Sequence, residues 1–148
     1  ALTRMGLTVF IDRESRRDVT RMNERIADLV GDGGSVGFFP EGTTSTGETV
    51  LPFKPSLLQS AIALGMPVTP AAILYTTPPG GPPPEELVAW VGDDEFAPHA
   101  KRLLASPGFT ARIRFGTETV TAGDRKTLAA AARDAVSALH RELRESAA

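Results

Sequence analysis

Ten consecutive residues, Phe38-Phe39-Pro40-Glu41-Gly42-Thr43-Thr44-Ser45-Thr46-Gly47, combine an apolar run with a carboxylate, glycines and hydroxyls. The apolar residues 36–39 predict a buried strand that stops at Pro40. A strand ending abruptly in Gly and Thr exposes backbone N–H groups where no side chain blocks approach, a geometry suited to an anion such as phosphate. Glu41 stands at the mouth of that loop. An ordinary strand-to-helix connection has the same composition. Asp12-Arg13 closes an earlier apolar run, residues 7–11. In open α/β sheets the C-terminal ends of strands are where ligands bind. Lys54 adds a cation between Pro52 and Pro55. Other chemistries have little to work with. There is no cysteine, and His99 and His140 are the only histidines, so thiol chemistry is excluded and a dedicated zinc site is not expected.

These residues need a scaffold, and the rest of the chain supplies one. Residues 7–11, apolar and β-branched, predict a strand buried on both faces, as in a parallel sheet. Ser15 and Asp18 suit a helix start, and Val19, Met22, Ile26, Leu29 and Val30 repeat at helical spacing until Gly31. The strand at 35–39 follows, joined by a right-handed crossover. Pro55 or Ser56 opens a short helix over 57–64, with Gly65 ending it. Residues 67–75 predict a third strand with its prolines near the start. Residues 76–84 form a Pro- and Gly-rich connector, and 88–91 are a short apolar stretch of no clear period. A helix over 96–105, an alternating half-exposed strand over 110–116 and a last helix from Asp124 complete the series. Leu128, Ala132, Ala135, Val136, Leu139 and Leu143 make that helix's buried stripe. The predicted architecture is α/β, a mostly parallel central sheet flanked by helices, in one domain spanning 1–148.

With 148 residues, a net charge of -2, 23% charged and 41% hydrophobic residues, the composition is that of a globular protein and argues against nucleic-acid binding. No apolar run approaches the ~20 residues needed to span a bilayer, and no signal peptide is visible. The first residues, Ala1-Leu2-Thr3-Arg4, lack a Met, so the sequence reads as a piece of something longer. Arg16, Arg17, Arg21 and Arg25 read as a solvated helix face, and Trp90 as a packing residue.

Gly6-Leu7-Thr8-Val9-Phe10-Ile11-Asp12-Arg13, then Phe39-Pro40-Glu41-Gly42-Thr43-Thr44-Ser45, then Met66-Pro67-Val68-Thr69-Pro70, resemble in order three blocks of the PlsC-type glycerolipid acyltransferases. The first carries one extra residue after its glycine. The second departs at Thr44, where many members have Arg, although some bacterial members also read Glu-Gly-Thr-Thr. The resemblance implies a glycerol-3-phosphate acyltransferase-like fold, here N-terminally truncated. It implies transfer of a fatty acyl group from acyl-CoA or acyl carrier protein to a lysophospholipid hydroxyl, 1-acyl-sn-glycerol-3-phosphate first among the acceptors. An acyltransferase of another lysolipid such as lyso-ornithine lipid, or a non-catalytic lipid- or phosphate-binding remnant, are the alternatives. No cofactor and no metal are implied, only the acyl thioester as co-substrate. Arg13 would contact the acceptor phosphate, with Glu41, Gly42, Thr43, Thr44 and Ser45 shaping the pocket, and Lys54 or an arginine at the start of the first helix would compensate for Thr44. Glu41 would bond the loop's own N–H groups or orient Arg13. The passage ending in Pro70 would line the acyl-donor side.

The family's general base is the His of a His-x-x-x-x-Asp block that precedes the Gly6 block, so it is expected upstream of Ala1, and this chain alone is expected to be inactive. His140 and Glu145 have a similar spacing, but residues five apart on a helix diverge by about 140°. His140 and His99 read instead as surface or helix-packing residues. The resemblance places the full-length protein at the cytoplasmic face of the inner membrane, with a membrane surface among its partners.

Overall fold

The computed structural model describes residues 16–92 and 94–147, with side chains from Glu24 onward. Helix α1, Arg16–Gly31, follows the predicted periodicity. Its end is closed by Gly33 N–H to Val30 O and Gly34 N–H to Leu29 O, with Gly33 at φ +81°. That left-handed conformation favours glycine. Arg25 is exposed, as a solvated face requires. The strand predicted at 7–11 lies outside the described residues.

The strand predicted at 35–39 is not formed among the described residues. The stretch is irregular, and Phe39 is 77% exposed. A strand is a pairing and not a local state, because its N–H and C=O groups need a neighbour's ladder. The neighbour that the sequence reading assigned to it, 7–11, is not among the residues described.

The sheet that is described is antiparallel, and the expected parallel pairing is not among the described strands. It has two strands, β1 (Ala71–Thr76) and β2 (Thr110–Phe115), antiparallel, with Ala71 opposite Phe115 and Thr76 opposite Thr110. An antiparallel bridge between Val68 and Val120 extends the pairing beyond them. β1 begins later than predicted because Pro70 has no N–H to give. Its carbonyl still accepts from Gly116 N–H at 2.8 Å. Alternation puts Ala72, Leu74, Arg112 and Arg114 on one face. Arg114 pairs with Glu142 at 2.6 Å, which sets that face against the last helix. Ala71, Ile73, Tyr75, Ile113 and Phe115 share the other face, where Ile113 and Phe115 are exposed. β2 is exposed along its whole length, more than its predicted half-exposure.

Between passage and strand, a 3-10 turn (Pro55–Leu58) runs into α2 (Gln59–Ala63), and Gly65 at φ +61° ends it as predicted. After β1 come α3 (Pro84–Leu87) and α4 (Phe96–Leu104). Trp90 stacks on the buried His99 and touches Phe96, so it packs. Asp94 joins this cluster through Arg102, whose hydrogen bond holds the Asp94 carboxyl below the usual carboxylate range.

Helix α5, Arg125–Glu145, is the longest element described. Leu128, Ala129, Ala132 and Leu143 are buried along it. Ala135, Val136 and Leu139 are only partly buried. The core cluster joins Leu128 and Ala129 to Leu58, with Phe53, Ile62, Val68 and Val120 packed around them. Asp124 caps the helix, accepting from Lys126 N–H at 2.8 Å, Thr127 N–H at 3.1 Å and the Thr127 hydroxyl at 2.6 Å.

Two measurements check this account. Leu128 is 1% exposed, and Leu128→Ala should cost about 2–5 kcal/mol in urea denaturation. The Thr127 hydroxyl, then the Thr127 and Lys126 N–H groups, hold the Asp124 carboxyl below its ordinary value. Because the folded-state value lies below the unfolded one, the cap contributes fully above about pH 4 and is lost as pH falls through the lowered folded value. Asp124→Ala should therefore lower the denaturation midpoint at neutral pH and flatten its decline on the acid side. An unchanged acid limb would show that Asp124 does not carry that dependence.

Candidate functional site

The loop after Phe39 is closed at its base by two backbone bonds. Gly42 N–H donates to Phe39 O at 3.1 Å, and Lys54 N–H donates to Pro40 O at 2.8 Å. The second returns the chain across the loop thirteen residues after Glu41, as their numbering shows. Gly42 adopts φ +65°, and a Cβ there would lie 3.0 Å from Lys54 Cδ and 3.3 Å from its Nζ. The Lys54 side chain is thus laid along the bare face of Gly42. A glycine is needed there twice over, for the left-handed backbone and for the lysine's approach. At the far end, Gly47 at φ +79° donates its N–H to Ser45 Oγ at 3.3 Å. The Thr46 hydroxyl donates to Glu48 Oε2 at 3.4 Å.

The predicted residues separate accordingly. Glu41, Gly42, Thr43, Thr44 and Ser45 share the loop, and Lys54 is brought to it. Thr43 and Thr44 are exposed, while Glu41 and Ser45 are partly buried. Among the described residues no bond joins the Glu41 carboxylate to the loop's own N–H groups, the first of its two expected roles. The Gly42 N–H of the turn 40–42 is given to Phe39 O. The other expected role involves Arg13, which lies outside the described residues. Pro70 is buried at the head of β1, where a Cβ on Gly116 would meet its Cγ at 2.7 Å, so its contacts are with the sheet. What the loop can do chemically is hold an anion against Lys54 and the hydroxyls at a glycine-opened backbone.

One supporting residue was not legible beforehand. Arg133 of α5 donates from Nε to Leu51 O at 3.2 Å and from Nη2 to Val50 O at 3.1 Å. This pins the passage that delivers Lys54. Its partner carbonyls lie more than eighty residues away in sequence, and a backbone carbonyl leaves no side-chain signature. Arg144 adds a bond to Glu48 O at 2.9 Å.

The family described as Acyltransferase matches residues 1–74, half of the chain, and the chain belongs to that family. The match takes in Arg13, the loop, Lys54 and Pro70. Among individual proteins, the lyso-ornithine lipid O-acyltransferase of Brucella abortus (strain 2308) is 38% identical over 144 residues, 89% of this chain and 54% of that protein. Its counterpart in Pseudomonas aeruginosa is 35% identical over 130 residues, 87% of this chain and 49% of that protein. The 1-acyl-sn-glycerol-3-phosphate acyltransferase of Neisseria gonorrhoeae is 47% identical over 68 residues, 46% of this chain and 27% of that protein. The chain therefore spans about half the length of the lyso-ornithine lipid acyltransferases it matches. No solved structure matches it. Among the described residues, no helix is long and apolar enough to cross a membrane.

Gly42→Ala tests the loop. A left-handed L-residue is disfavoured by about 1–2 kcal/mol, and Lys54 must also give way. Urea denaturation should show that loss. Gly123→Ala, whose Cβ would meet nothing within 4 Å, should show much less.

Proposed function

We propose that the intact protein is an O-acyltransferase that moves a fatty acyl group from an acyl thioester, on coenzyme A or acyl carrier protein, to the free hydroxyl of a lysolipid. A general base removes the hydroxyl proton. The alkoxide oxygen attacks the thioester carbonyl, the C–S bond breaks, and the thiolate leaves to be protonated. The observation that carries this reading is the Lys54–Gly42 contact within a loop that matches the family's Phe-Pro-Glu-Gly-Thr block. It sets a cation at a glycine-opened turn beside the loop hydroxyls, where an acceptor's anionic group can sit.

In this reading Arg13 grips the acceptor phosphate with its planar fork of donors. Glu41, Thr43, Thr44 and Ser45 shape the pocket, and Pro70 belongs to the donor side. The base is the His of a block preceding Gly6. Neither histidine here suits that role. His99 contacts Asp94 and Arg102 and stacks on Trp90. His140 sits on α5, and no bond joins it to the loop among the described residues. No cofactor takes part, and the lysolipid is met at the cytoplasmic face of the inner membrane.

The acceptor named by the motif is 1-acyl-sn-glycerol-3-phosphate. A second reading, a lyso-ornithine lipid, is favoured by a specific observation. Relatives of that name align along nearly the whole chain, whereas the one from N. gonorrhoeae named for the glycerophosphate aligns over less than half. Thr44 in place of Arg points the same way, since an ornithine headgroup places less demand on a second phosphate-binding cation.

In the intact protein, Arg13→Ala should lower kcat/KM for lysophosphatidic acid by about 10–100-fold, the loss of a charge-assisted bond, while Arg112→Ala on β2 should not. Equal behaviour of the two variants would mean that Arg13 does not hold the phosphate. Faster turnover of lyso-ornithine lipid than of lysophosphatidic acid by the wild type would select the second reading.

A further inference from the structure

Arg133, Ser137, His140, Arg141 and Arg144 follow one another along α5 at spacings that place most of them on one side of the helix. Against residues 48–50 they line a cleft of about 470 Å³. Two carboxylates, Glu48 and Glu145, also line it, so the three guanidiniums leave one positive charge in excess.

The donors are not used up. A guanidinium carries five N–H groups. Arg133 spends two on Val50 O and Leu51 O, and Arg144 spends one on Glu48 O. Arg141 makes no hydrogen bond or ion pair among the described residues. The second observation is independent of the arginines. The His140 ring is 7% exposed, lines the cleft and makes no hydrogen bond among the described residues. No fully buried side-chain nitrogen or oxygen there lacks a partner, so the ring nitrogens keep their open surface toward the cleft. The two carbonyl bonds of Arg133 hold the opposite wall in place, so the cleft is formed before any ligand enters.

We infer that this cleft is a second anion site, and that its ligand is the phosphate end of the phosphopantetheine arm that carries the acyl donor. The phosphate chemistry rests on the cleft alone. The donor's identity rests on the acyl-transfer reading above. In that reaction the acceptor's anion is held by Arg13 and the loop, and the remaining substrate presents its thioester on an arm that ends in phosphate. Residues 48–50, one wall of the cleft, follow directly on Gly47 at the end of the loop. The two sites therefore share one continuous backbone, with an acceptor at one end and a donor at the other.

Arg141 is the residue to change, because it makes no hydrogen bond or ion pair with any other described residue. Calorimetry on the intact protein would compare inorganic pyrophosphate, coenzyme A and pantetheine, the same arm without phosphate. Arg141→Glu should weaken pyrophosphate and coenzyme A by at least about tenfold, the effect of losing a charge-assisted bond and adding a repulsion, and leave pantetheine unchanged. An unaltered denaturation midpoint would confirm that the variant folds. In turnover it should raise KM for the donor and leave KM for the lysolipid as it was. A rise confined to acyl-CoA assigns the site to coenzyme A, and one confined to acyl carrier protein assigns it to the carrier's arm. Equal pyrophosphate and coenzyme A affinities in wild type and Arg141→Glu would overturn the site. Acyl transfer with an unchanged donor KM would sink the inference and keep the proposed function. Arg141-dependent pyrophosphate binding in a protein that transfers no acyl group would do the reverse, keeping the anion site and refuting the donor.

Discussion

One guanidinium holds the described part of the molecule in register. Arg133 reaches from α5 to the carbonyls of Val50 and Leu51, which belong to no helix or strand. Carbonyls in such a passage must be satisfied by something, and a rigid fork of donors satisfies two at once. Three residues on, Lys54 closes on Pro40 and lies along Gly42. The position of the cation in the loop is therefore set from the far end of the chain, by a helix outside the 1–74 span that the family shares. Helix α5 can serve as this post because its own start is fixed by Asp124 and its buried face by Leu58.

The helices were legible in the sequence because their signals are local. The last helix starts at Asp124, where it was expected to begin, Gly65 ends α2, and the apolar period of α5 matches its burial at Leu128, Ala132 and Leu143. The loop was legible as a motif, since glycines with hydroxyls after an apolar run have few other uses. Sheet structure was less so. Residues 110–116 were read as a strand, and Thr110–Phe115 form one, but the pairing partner and its antiparallel sense depend on how distant segments meet. For the same reason residues 36–39 carried strand composition without forming a strand among the described residues. That Lys54 serves the loop was an expectation of the family resemblance, but its seat against Gly42 was not legible, because no pattern in either residue's neighbourhood names the other.

His140 shows the limit from the opposite side. Its spacing to Glu145 resembled a catalytic block, and helix geometry argued against that reading. The structure agrees about the geometry, yet buries the ring beside three arginines. His99 is buried to the same degree, but Trp90, Asp94 and Arg102 surround it with partners. Two buried histidines thus differ in what their ring nitrogens meet, partner side chains for one and the cleft for the other, which is a property of surroundings and not of sequence.

The pairing of β1 with β2 has a consequence for the order of events in folding. Thr76 meets Thr110 and Ala71 meets Phe115, so all of residues 77–109 must be looped out before the first rung forms. Closing such a loop loses chain entropy before any ladder bond repays it. Helix α5, whose hydrogen bonds span four residues at a time, carries no such handicap. Loop-closure entropy thus weighs on the ribbon and not on the helix. The loop's cation is delivered by a passage clamped to that helix, so its placement depends on the element built from local contacts and not on the sheet.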